Sequence, residues 1–198
     1  MRYLEKVQSL LPLGYLYLIV LGLLKESVMF YQLDINILKY SSLTDILISP
    51  VADMVTNPIL IVMILLMILL FFGFQVLLIK NSHKNWVQKL LKGYRINVDP
   101  EKKELRKAMI PAFVLLVALE LLSLFVGLGI GGGNRIKKRL DTQNLRYNYK
   151  LTTGSDASAE IYMIDINSSY YFYVKKGEKQ IRIAPVSTIN NLEIIKKK

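Results

Sequence analysis

Four residues spaced i, i+3, i+7 and i+11 are the first place to look for chemistry: Glu120, Ser123, Gly127 and Gly131, within the apolar run 109–133. On an α-helix that spacing puts them on one narrow face. An ionisable group halfway through a membrane span is expensive and faces protein or water rather than lipid. Gly127 and Gly131 form a small-xxx-small pair that lets a second backbone come close. The face is therefore either a proton or ion site at Glu120 or, the commoner case, a packing seam in which Glu120 is neutral or paired. Depth suggests Lys25 as its partner. If the first and third spans run parallel, Lys25 is about 15 residues and Glu120 about 11 from the same face, an offset of ~6 Å that a lysine can bridge.

Other chemistry is excluded residue by residue. The segment 127–132, GLGIGG, has the spacing GxGxxG, but a dinucleotide loop needs those glycines between a strand and a helix start. Here they close a span, and are expected to stop the helix and form a hinge. His83 is the one histidine and lies in a basic loop, and cysteine is absent, so no metal site, thiol chemistry or disulfide is expected. No Ser-His-Asp set, acid pair in a soluble cleft or phosphate loop is present. The expectation is no catalytic residue, no cofactor and no enzyme.

Three elements must position that face. Of 198 residues 53% are hydrophobic, mean hydropathy is +0.34, and the apolar residues are gathered in three blocks, the mark of a membrane protein. The spans are expected at about 9–33, 58–79 and 109–131. The first has no small-x-small cleavage site and reads as an uncleaved span. The second starts at Asn57, a capping residue, with Pro58 in the first turn. Residues 34–57 hold no span-length run and are expected at the membrane surface. The net charge of +11 belongs beside the spans, where it meets anionic head groups, rather than to nucleic acid. The connector 80–108 carries nine basic residues. Within it NWVQKLLK sets Trp86, Val87, Leu90 and Leu91 against lysines, so Trp86 is expected to anchor a short interfacial helix. Gly93 ends it, and Asp99-Pro100-Glu101 starts the next helix.

The domains expected are thus a membrane domain at 1–133, a linker at 134–142 and a β module at 143–198. In the module the apolar period becomes two. Strands are expected at Leu145 to Leu151, in AEIYMIDI, in YYFYVKK, in KQIRIAP after a turn at Gly177-Glu178, and at Leu192 to Ile195, with a helical turn in VSTINN. Five short strands with one helical turn before the last resemble the SH3-like or Sm-like small barrel. Tyr147, Tyr149, Tyr162, Tyr170, Tyr171 and Tyr173, with Lys175, Lys176 and Arg182, have the composition of a nucleic-acid face, but alternating tyrosines are more often barrel core. About 55 residues are marginal for stability alone, so the module should lean on the spans or on a sister subunit.

With the N-terminus inside, eleven basic residues lie on the inner side against eight outside, which favours N-in and module-out. The expected location is a bacterial inner (cytoplasmic) membrane. The function class that fits is a non-enzymatic multi-pass accessory protein. It would form oligomers through the third span or bind another envelope protein, without nucleic acid. The alternative is a channel or membrane-permeabilising protein: three spans, a glycine-rich third one and an Sm-like module resemble the small-conductance mechanosensitive channels. That family's barrel lies inside and its pore helix carries a long Gly/Ala repeat, and this sequence departs from both.

Overall fold

A computed structural model describes residues 2–93, 102–154 and 158–195. The expected helix start at Asp99-Pro100-Glu101 lies outside them. Five α-helices precede a β sheet: α1 (Arg2–Tyr31), α2 (Leu43–Thr56), α3 (Pro58–Lys80), α4 (Asn85–Gly93) and α5 (Lys102–Asp141), then β1 (Tyr149–Thr153), β2 (Ala159–Ile166), β3 (Tyr170–Lys175), β4 (Arg182–Pro185) and β5 (Ile189–Ile194). Three helices are long and apolar enough to cross a membrane, through Gln8–Tyr31, Pro58–Lys80 and Met109–Asp141. By contacts the chain gathers into two units, 1–52 with 124–198, and 53–123.

In the unit 53–123, α3 begins as its sequence dictates. Asn57 holds the N-cap position and Pro58 the first turn, although the Asn57 side chain makes no capping bond. Leu78 near the end of α3 and Val87 on α4 are buried against each other, with Ile79 and Met109 beside them. Phe71 meets Phe113 edge-on at 5.8 Å between ring centres, a favoured aromatic geometry. Trp86 stays about half exposed (46%).

In the other unit, α1 and the last third of α5 carry the sheet. Helix α5 is helical through all its glycines to Asp141. The expected stop at 127–132 is therefore corrected, and the segment expected as a linker, 134–142, is helical up to Asp141. Glycine costs a helix only about 1 kcal/mol, and at Gly129 and Gly133 the missing side chain is used for packing. Residues 34–57 contain no span but do have regular structure. Ile37–Lys39 is a 3-10 turn and α2 has 14 residues.

The sheet is antiparallel with strand order β4-β3-β2-β1-β5, and the 3-10 turn Val186–Thr188 joins β4 to β5. The expected barrel is not closed: β4 and β5 are the two edges. Strand β4 has four residues and ends at Pro185, which lacks the N–H needed to extend a ladder. The first strand begins at Tyr149 rather than Leu145, and Gly177 takes the left-handed conformation (φ 86°) that its hairpin turn requires.

Alternation gives the sheet two apolar faces. On one, Leu151, Ile161 and Tyr173 are buried, with Tyr149, Tyr171 and Leu192 around them. On the other, Phe172 joins Phe30, Leu33 and Ile37 in a single core, flanked by Ile136 and Leu140 of α5. The tyrosines are thus largely core residues, and the sheet does lean on the spans.

A second contact fixes the sheet to α2. Ser42 and Asp45 form a capping box: the Asp45 N–H donates to Ser42 Oγ (3.1 Å) and the Ser42 N–H donates to Asp45 Oδ2 (2.9 Å), which satisfies two orphan donors of α2. The same carboxylate accepts from the Ser168 N–H (3.1 Å) and Ser168 Oγ (2.9 Å) in the β2–β3 turn. Next to it, Asn167 Nδ2 donates to the Tyr40 carbonyl (3.1 Å). Burial raises the Asp45 pKa, but the hydrogen bonds from Ser42 and Ser168 outweigh it and leave the group below its ordinary value of 3.8. A depressed carboxylate adds stability that is full above its unfolded value and is lost as pH falls through the folded one. Thermal unfolding from pH 5 downward should therefore fall more steeply, below about pH 4, in the native chain than in Asp45→Asn. At neutral pH, Asp45→Ala should cost about 1–2 kcal/mol.

Candidate functional site

The polar groups of the first span converge at its C-terminal half. Lys25 Nζ donates to Glu26 Oε1 at 2.9 Å and to Ser49 Oγ of α2 at 3.2 Å, and Ser49 Oγ donates to the same Glu26 oxygen. The lysine and glutamate side chains are only 14% and 11% exposed. Burial at this level makes pairing obligatory, because an isolated charge there would be too costly to keep. The second carboxylate oxygen, Glu26 Oε2, and the hydroxyl of the next residue, Ser27, are buried without a hydrogen-bond partner.

Close backbone approach is what brings α2 and α5 to this point. A Cβ on Gly22 would fall on the Ile46 carbonyl of α2, so only glycine lets the two helices touch there. On α5 a Cβ at Gly129 would lie 2.5 Å from the Lys25 carbonyl oxygen, and one at Gly133 would lie 2.6 Å from the Met29 carbonyl. Both numbers rise together along the chain, so α1 and this part of α5 run parallel, as span depth suggested. Gln32 crosses the seam, its Nε2 donating to the Gly129 (3.4 Å) and Ile130 (3.2 Å) carbonyls as well as to Val28 (3.2 Å).

The glycine pair that meets α1 is the neighbour of the expected one. Gly129-x-x-x-Gly133 meets α1, whereas a Cβ on Gly127 or Gly131 would meet nothing within 4 Å. Glu120 and Ser123 are exposed. Lys25 is level with Gly129. Its ammonium donates to Glu26 and Ser49. Helix periodicity offered both glycine pairs equally; which one faces α1 is set by α1.

Beside the cluster, two grooves share Ser27 and Tyr31 as walls. One, of about 420 Å³, is lined by Val28, Gln32 and Ile130. The other, of about 520 Å³, continues past the end of α1 to Asp34, Asn36 and Leu38. Among the described residues no group of three histidine or carboxylate side chains could hold a metal ion. No protein-family profile, curated protein or solved structure matches the chain.

Proposed function

We propose that the protein is a non-enzymatic, membrane-anchored accessory protein that presents its β sheet to a protein partner. The observation that carries this reading is the attachment of the sheet. The Phe30–Phe172 core and the Asp45–Ser168 contact bind it to helix ends, so it is held in a fixed pose and not on a flexible tether. Edges β4 and β5 then offer unpaired backbone groups to a strand from a partner. The placement of β1 between β2 and β5, and the 3-10 turn before β5, support kinship with SH3-like or Sm-like barrels.

The location that goes with this reading is a bacterial inner membrane, with the N-terminus inside, the sheet outside and the basic connector against anionic head groups. Self-association through the exposed Glu120, Ser123, Gly127 and Gly131 belongs to the same reading, because an ionisable group facing lipid is costly. It has no role for nucleic acid, cofactor or metal. Paired reporters fused after Lys198, one active only outside and one only inside, test it. Outside activity is the expected result, together with silence of the purified chain in planar-bilayer recordings. Inside activity with single-channel currents would replace it with the channel reading, in which the glycine face of α5 lines a pore.

A further inference from the structure

The two grooves at the end of α1 have the composition of a lipid site. Their apolar half runs along Val28 and Ile130, within the stretches long and apolar enough to lie in a membrane. Their polar half begins where the first span ends, at Tyr31, and contains one formal charge, Asp34. Tyr31 is 80% exposed, which fits an aromatic residue at head-group level. Ser27 stands on the wall common to both halves, and its hydroxyl is buried with no partner. That is the exceptional feature, since a buried hydroxyl almost always has one.

We infer that this groove binds a phospholipid with a primary-amine head group. An acyl chain lies against Val28 and Ile130, and a turn of the Ser27 side chain about χ1 brings its hydroxyl from the buried position to an ester oxygen. The ammonium pairs with Asp34. The Asn36 side-chain oxygen already accepts from the Leu38 N–H (3.2 Å), which leaves its amide hydrogens to donate to the phosphate. Charge selects the head group: a carboxylate at the groove mouth repels an anionic lipid. It also prefers an ammonium that donates hydrogen bonds over a quaternary one that cannot. The assignment does not depend on which partner the sheet meets.

The test uses the full chain in detergent, offered equal amounts of phosphatidylethanolamine and phosphatidylcholine, with retained lipid read by native mass spectrometry. These two lipids have the same net charge, so the basic connector does not bias the comparison. The expected result is at least about threefold preference for phosphatidylethanolamine. Asp34→Asn should bring that ratio near one while leaving the fold intact, because asparagine tolerates the left-handed backbone at this position (φ 59°) as aspartate does. Ile130→Trp, which fills the apolar half, should lower retention of both lipids. A ratio near one in the native chain, or a preference that survives Asp34→Asn, would overturn the assignment.

Discussion

Phe172→Ala should cost about 3–5 kcal/mol and loosen the sheet from the helices. The ring is fully buried, 4.9 Å from Phe30 and 6.1 Å from Tyr40 between ring centres. It is the side chain of the sheet that is fully buried in the core shared with α1. Removing it leaves a cavity whose walls come from α1 and the 3-10 turn, elements too constrained to collapse inward. Amide exchange reads the effect directly: protection in β2 and β3 should drop about a hundredfold or more, at roughly 1.4 kcal/mol per tenfold. Ile166→Ala is the control. That residue is half exposed on the same sheet, and its loss should stay near 0.5 kcal/mol. If the two variants exchanged alike, the Phe30–Phe172 core would not be what holds the sheet.

Gly129→Leu should be the next most damaging, at about 3 kcal/mol or somewhat more. Its side chain would have to start 2.5 Å from the Lys25 carbonyl oxygen, and a backbone atom cannot rotate away as a side chain can. Helix α1 would have to move, and Gln32 would then lose its bonds to the Gly129 and Ile130 carbonyls. Gly127→Leu is two residues away with open space around it. In the monomer it should be neutral or slightly stabilising, since leucine is the better helix former. Thermal unfolding in detergent separates the two. The same Gly127→Leu chain, run by size exclusion, should lose self-association without losing monomer stability. Equal destabilisation by both would mean that the seam does not discriminate between the glycine faces.

These particulars show how far the sequence can be read. The spans were legible because 20 or more apolar residues leave few alternatives, and the strands because period two differs plainly from 3.6. The start of α3 was written in Asn57 and Pro58. The phase of α5 was not, because four of its glycines, Gly127, Gly129, Gly131 and Gly133, are spaced by two and provide two overlapping GxxxG pairs. Choosing between them requires the partner helix. The capping box Ser42-Leu-Thr-Asp45 was present to be read, but is masked by the absence of a long apolar run around it. The contacts also cut across the division that hydropathy suggests: the end of α5 groups with the sheet. Hydropathy reports solvent, and it is silent about which apolar surfaces meet. Barrel closure was beyond reach for a related reason, since it depends on how the sheet coils and how far β4 extends, and strand count gives neither.

Much of what covers α1 and the segment 32–45 that follows it is supplied by the end of the chain. Gln32 bonds to residues 97 and 98 positions later, Asp45 to one 123 later, and Asn167 reaches back 127 positions to Tyr40. At ordinary rates of synthesis, α1 therefore waits on the order of ten seconds before Gly129 and Phe172 exist to cover it. Throughout that interval Phe30, Leu33 and the glycine-facing side of α1 are bare, in or beside the bilayer. Assembly of this protein is thus necessarily late and non-local. A nascent chain stalled before residue 124 would be inserted but unfinished, and that is the form most in need of an insertase or chaperone and most open to proteolysis.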